Sequence, residues 1–167
     1  DLGFEKAGFK VEVANEYDKK RCRILQGNVE RLGCKSVVVC NLDTAVLAET
    51  YPATFDVVLC DAPCSGFGTV SENPDIKLFR KKEDFAALAK AQKDILSTVC
   101  RYVKKGGYLY YSTCSLFACE NDETVAAFLK NHPDFELVRV KKCVEEKNYK
   151  LRFYFQRKYV ILKCNEI

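Results

Sequence analysis

Two cysteines stand where thiol chemistry could be done. Cys64 lies in Asp61-Ala62-Pro63-Cys64-Ser65-Gly66 and Cys114 in Ser112-Thr113-Cys114-Ser115, each just behind a short run rich in β-formers. As a thiolate such a residue is a nucleophile; as a neutral thiol it is a small core group, the commoner role for a single cysteine. Three carboxylates hold equivalent places: Glu16 behind Lys10–Asn15, Asp43 behind Val37–Cys40, and Asp61 behind Phe55–Cys60. One carboxylate can accept from both hydroxyls of a ribose, or it can simply cap a helix or close a turn. Metal chemistry has little material. No two of the ten cysteines form a C-x-x-C pair, and His132 is the single histidine. That histidine precedes Pro133 at an expected helix end, where its side chain is expected to meet terminal carbonyls rather than to catalyse.

The elements that must position these groups alternate in type. Lys10–Asn15 has the alternation of a strand, and Asp18 can cap a helix over Lys19–Leu32, with Cys22, Leu25, Val29 and Leu32 on one face and Gly33 as its stop. Val37–Cys40 and Phe55–Cys60 are continuous apolar runs, as in strands buried on both faces. A long helix is expected from Asp84 to Lys104, apolar along Leu88, Ala91, Ile95, Val99 and Val103, with Lys104-Lys105-Gly106-Gly107 at its C-terminus. Strands are expected at Tyr108–Ser112, Phe135–Val140 and Phe153–Leu162, with a helix at Asn121–Asn131. This order predicts an α/β fold with a mostly parallel sheet, whose ligands lie beyond the carboxyl ends of the strands. If the strands before Cys64 and Cys114 are neighbours, roughly 4.8 Å apart, the two thiols approach each other, and a disulfide between them is then conceivable.

The 167 residues suit one domain, and 48% hydrophobic with 30% charged residues excludes a disordered or collagen-like chain. No apolar run reaches the roughly 18 residues of a membrane span, and no signal peptide is recognisable, so reducing cytoplasm or nucleus is the expected setting. The net charge of +4 is uneven: Arg139–Ile167 carries nine Lys or Arg against three Glu, and Lys77, Arg80, Lys81 and Lys82 form a second cluster. Such patches suit a polyanionic partner, although lysines and arginines more often only solvate a surface.

D-A-P-C-S-G followed by S-T-C-S, in that order and spacing, resembles the Nop/Sun (Fmu-like) family of RNA cytosine-5 methyltransferases. Asn73-Pro74-Asp75-Ile76-Lys77, the helix with Gln92 and Ile95-Leu96, and Glu120-Asn121-Asp122-Glu123 are similar to segments of its ribosomal-RNA members. The resemblance implies a Rossmann-like class I methyltransferase fold, helices on both faces of the sheet, and S-adenosylmethionine as cofactor. Glu16 would hold the ribose hydroxyls and Asp43 would lie near the adenine. Asp61 would face the methionine end and the target base. Cys114 would be the nucleophile and Cys64 the second cysteine, which helps release the product. The partner would be RNA, ribosomal or transfer, with no metal and no membrane. The location would be cytoplasmic, or nuclear to nucleolar in a eukaryote.

A thiolate is needed because C5 of cytosine is too electron-poor to take a methyl group unaided. Addition at C6 makes C5 enamine-like, and an acid at N3 stabilises the ring charge. The base must be unpaired or flipped out to reach the thiol.

Two departures from the family pattern stand out. A glycine-rich A-P-G-G-K-T-type loop is expected about 20 to 30 residues before Glu16, the length of a βαβ unit, and with it a first strand. The expectation is therefore a single catalytic domain, 1–167, N-terminally incomplete and part of a longer chain. In addition, Leu2–Phe9 followed by Ala14–Asp18 resembles DNA cytosine-5 methyltransferases, in which Cys64 would be the nucleophile. The S-T-C-S segment favours the RNA family. A third reading, a non-catalytic RNA-binding or assembly module, sits poorly with two retained cysteines.

Overall fold

The computed structural model describes residues 10–138 and 158–165, which fall in two compact units, Asp1–Thr50 and Tyr51–Ile167. In the smaller unit β1 (Val13–Asn15) pairs in parallel with β2 (Val38–Cys40), and the helix α1 (Lys19–Arg31) connects them. Asp18 caps that helix, accepting from the Arg21 amide at 2.8 Å, and Gly33 ends it with φ of +69°, a conformation open to glycine without the steric cost of a Cβ. Helix α2 (Thr44–Thr50) follows β2 and buries Leu47 and Ala48.

The larger unit holds β3 (Phe55–Asp61), β4 (Val103–Thr113), β5 (Phe135–Val138) and β6 (Lys158–Cys164) in the order β3-β4-β6-β5. β3 and β4 are parallel and β6 is antiparallel to both its neighbours, so three of the four strands run one way. Between β3 and β4 lie the short α3 (Ile76–Phe79) and the long α4 (Lys82–Val99); α5 (Asp122–Asn131) precedes β5. Val58, Cys60, Leu109, Tyr111 and Leu162 of the sheet are buried, as are Leu96 and Val99 of α4 and Val125 and Phe128 of α5.

Several expectations need correction. The run 55–60 is not buried on both faces: Val58 and Cys60 are buried, whereas Leu59 is 49% exposed, so only one face of β3 is covered. Val38 of β2 is likewise exposed. The long helix stops at Val99, and Val103–Lys105 belong to β4, where Val103 pairs with Phe55. The Gly106-Gly107 pair is therefore a kink in a strand rather than a helix end. Gly106 has φ of +76°, and a Cβ on Gly107 would come within 2.9 Å of the carbonyl oxygens of Asp56 and Lys104. Val99 is buried as expected, but the rest of the buried stripe of α4, Ala89, Gln92 and Leu96, lies one position on from the expected face. His132 stacks on Phe128 with centroids 4.4 Å apart, and its Nδ1 lies 3.8 Å from Cys100 Sγ. The expected strand residues Arg139–Val140 and Phe153–Arg157, and most of the basic tail, lie outside the described residues.

Burial pushes the Cys60 thiol up to about 12, with the Asp61 charge adding to it, and the Cys100 thiol up to about 11. Unfolded cysteines ionise near 9, so above that pH the unfolded chain releases protons that the folded chain keeps. Stability should therefore hold below pH 9 and fall steadily between about 9 and 12. Thermal midpoints measured from pH 7 to 11 should drop beyond pH 9, and Cys60→Val should flatten the drop.

Candidate active site

Both cysteine loops leave the carboxyl ends of adjacent parallel strands. Asp61, the last residue of β3, is in register with Ser112 near the end of β4, and the Ala62 amide extends the ladder to the Ser112 carbonyl at 2.9 Å. The next residues turn over the sheet edge and bring Cys64 Sγ to 2.9 Å from Cys114 Sγ, with both thiols free and half-buried. The Cys114 amide donates to Cys64 Sγ at 3.2 Å. Burial first, and then the hydrogen bond to Cys114, hold the Cys64 thiol above its ordinary range. Cys64 is thus protonated at neutral pH, and the two sulfurs are close enough for a hydrogen bond in which either could donate.

The Cys64 loop is pinned from α4 and the segment before it. Three successive carbonyls accept from side chains: Pro63 from Gln92 Nε2 at 2.8 Å, Cys64 from Arg80 Nη2 at 3.3 Å, and Ser65 from Arg80 Nε at 3.2 Å. Gly66 turns the chain with φ of +82°, and a Cβ there would lie 3.1 Å from Ile76 Cδ1. Gly66→Ala should cost about 1–2 kcal/mol from the left-handed backbone alone, with the Ile76 contact added. Denaturant unfolding measures this, and Ile76→Val should recover part of the loss.

The Cys114 loop is held from behind by Asn121. Its Oδ1 accepts from Thr113 Oγ1 at 2.7 Å, and its Nδ2 donates to the carbonyls of Ser115 at 3.1 Å and Phe117 at 2.8 Å. Glu120 reaches both loops. Its Oε1 accepts from the Ser65 amide at 2.8 Å and from Gln92 Nε2 at 3.0 Å; its Oε2 accepts from Ser65 Oγ at 2.5 Å and from Ser115 Oγ. Phe67 and Phe117, each three residues beyond a cysteine, meet Phe85 of α4 with centroids 4.9–5.6 Å apart.

Glu16 and Asp43 lie in the smaller unit, just past the ends of β1 and β2. Crossing bonds hold the two loops there: Asn15 Nδ2 donates to the Leu42 carbonyl, and Asn41 Nδ2 to the carbonyls of Glu16 at 2.7 Å and Tyr17 at 2.8 Å. Glu16 Oε2 pairs with Arg21 at 2.7 Å, and its Oε1 accepts from the Asp18 amide at 3.0 Å. Asp43 Oδ1 accepts from the Ala45 amide at 2.8 Å, which caps α2. Both carboxylates therefore make the turn or cap bonds of their bland reading. A carboxylate has about four acceptor sites, so the same group still suits a ribose diol.

The profile of the family described as 16S rRNA methyltransferase RsmB/F matches residues 6–160. The chain belongs to that family. The RsmB/F chain is 42% identical over 119 residues to the probable ribosomal RNA small subunit methyltransferase B of Bacillus subtilis, covering 71% of this chain and 27% of that one. To the ribosomal RNA small subunit methyltransferase F of Serratia proteamaculans it is 37% identical over 122 residues, covering 73% and 26%. It thus spans about a quarter of the length of the curated relatives it matches. A methyltransferase homologue from Pyrococcus horikoshii superposes with a TM-score of 0.68 at 27% identity, over 94% of this chain and 53% of that one. NSun6 from the same organism, solved with SFG, an analogue of S-adenosylmethionine, gives 0.68 at 22% identity over 92% and 41%, and supports the fold. The Nop/Sun resemblance and the Rossmann-like methyltransferase fold are both borne out. S-adenosylmethionine is the cofactor that family membership supports.

Among the described residues no helix is long and apolar enough to cross a membrane, and no cluster of three or more His, Cys, Asp or Glu could hold a metal ion. Sequence reasoning named Glu120, Gln92 and Arg80 only as parts of motifs or of a charge cluster. Gln92 did leave a signal, as a polar residue centred in an otherwise apolar helical stripe.

Proposed function

We propose that this chain is the catalytic part of an enzyme that moves a methyl group from S-adenosylmethionine to C5 of a cytosine in ribosomal RNA. The observation that carries this reading is the pair of thiols 2.9 Å apart just past the ends of adjacent parallel strands, the first of which ends in Asp61.

Cys114 is the nucleophile. Its thiolate adds to C6, and the displaced π electrons go toward N3, where Asp61 donates. Glu16 would hold S-adenosylmethionine at its ribose and Asp43 near its adenine, and the bound cofactor would supply the methyl group to C5, its S–CH3 bond breaking to leave a neutral thioether. The C5 proton then leaves to a base, the C5–C6 double bond re-forms, and the S–C6 bond breaks. The neutral Cys64 thiol beside the departing sulfur donates to it and so favours release. A DNA-type enzyme would use Cys64 to attack, and the burial of that thiol disfavours it.

RNA is held by the surface next to the loop. Leu78 and Phe79 of α3 are 79% and 77% exposed, flanked by Lys77, Lys81 and Lys82, a mixture of apolar and cationic groups that suits stacked bases and phosphates. The free thiols and the RNA substrate suit the cytoplasm, and the greater length of the relatives suits further domains in the same protein. Incubation with methyl-labelled S-adenosylmethionine and an unpaired ribosomal RNA segment, followed by digestion to nucleosides, should yield 5-methylcytidine. A label on N4 or on a ribose would overturn the C5 assignment.

A further inference from the structure

We infer that Glu120 is a positioning residue that sets the two cysteine loops as one unit. The inference rests on the reading of Cys64 and Cys114 above. Glu120 is fully buried, and all four acceptor sites of its carboxylate are filled by donors from three separate segments. Two of those donors belong to Ser65, the residue after Cys64, and one to Ser115, the residue after Cys114. Each hydroxyl has a single proton, and both point at the same carboxylate oxygen. The 3.2 Å contact between Ser65 Oγ and Ser115 Oγ thus lies between two groups engaged elsewhere, converging on Oε2. The fourth donor, Gln92, also holds the Pro63 carbonyl, so the carboxylate is tied to α4 as well as to both loops.

Glu120 touches neither sulfur. What it fixes is the backbone one residue beyond each, so the separation of the sulfurs depends on a group fifty-six residues from one cysteine and six from the other. An acceptor with four filled sites is what this place requires. A glutamine offers one oxygen instead of two, and its amide would turn N–H groups toward at least one of the present donors. A misplacement of about 1 Å at a reacting pair costs about 100-fold in rate.

The test reads the sulfurs directly, without cofactor or RNA. Diamide takes the two thiol hydrogens and leaves the Cys64–Cys114 disulfide and the reduced hydrazine, and peptide masses identify the bridge. The 167-residue chain should form this bridge rapidly. Glu120→Gln should slow it about 100-fold at temperatures well below its melting transition, while alkylation of Cys22 stays unchanged. Should Glu120→Gln fail to fold, Ser115→Ala, which removes a single hydroxyl, should still slow the pairing. With RNA and cofactor, Ser115→Ala should slow formation of the covalent adduct, and Ser65→Ala should mainly slow its release. Unchanged pairing in folded Glu120→Gln, or in folded Ser115→Ala where the first does not fold, would overturn the inference and leave Glu120 a structural group alone. Slowed pairing in a protein that never forms an RNA adduct would support the positioning role and sink the C5 mechanism instead.

Discussion

Cys114→Ala should form no covalent RNA adduct and no 5-methylcytidine, whereas Cys64→Ala should accumulate an adduct that resists denaturing electrophoresis. The contrast follows from the unequal settings of the two sulfurs. Burial and its bond to Cys114 hold Cys64 in its neutral form, which suits a proton donor better than a nucleophile. The Cys114 loop is fixed through Thr113, Ser115 and Asn121, with its sulfur 2.9 Å from that of Cys64. Removing the attacking thiol removes the covalent step itself, for which loss of rate of about 10⁴-fold or more is usual in nucleophilic catalysis. Removing Cys64 leaves the attack possible but takes away the donor at the departing sulfur. A gel of both variants with RNA and cofactor reads the result. An adduct in Cys114→Ala and none in Cys64→Ala would reverse the assignment to the DNA type.

Glu16→Ala should weaken S-adenosylmethionine binding about 10- to 100-fold, the loss of a charge-assisted bond worth about 1.5–3 kcal/mol. The control is Arg21→Ala. The Glu16–Arg21 pair is largely exposed on the arginine side, at 73%, and exposed pairs contribute about 0–1 kcal/mol. Arg21→Ala should therefore leave the affinity within about fivefold. Asp43→Ala should show a different signature, a stability loss of about 1 kcal/mol from the α2 cap together with weaker cofactor binding. Calorimetric titration and a thermal melt separate these effects. Wild-type affinity in Glu16→Ala would return Glu16 to the role of a turn carboxylate bonded to the Asp18 amide.

The sequence placed Cys64 and Cys114 together through one step, the adjacency of the strands before them, and β3 and β4 are indeed neighbours. The strand ends carrying Glu16 and Asp43 were legible for the same reason, since alternation and apolar runs are local. What stayed hidden depends on tertiary placement. Val103 reads equally well as the last apolar residue of a helix or the first of a strand, and only its pairing with Phe55 decides. Arg80 looks like one more cation in a solvated cluster until its guanidinium is seen on two loop carbonyls. Glu120 is a charged residue that burial alone would argue against. Its place becomes intelligible only when four donors from distant segments converge on it.

The trio of Phe67, Phe85 and Phe117 has a consequence for how such sequences drift. Phe67 and Phe117 each stand three residues beyond a cysteine, and Phe85 on α4 touches both. The rings are only partly buried, Phe117 being 38% exposed, but they touch one another, so a ring that shrinks alone forfeits contacts with the other two. A smaller side chain at 67 is best compensated by a larger one at 85 or 117. Substitutions three residues beyond one thiol therefore select for changes three residues beyond the other, and the two loops are coupled in how they evolve.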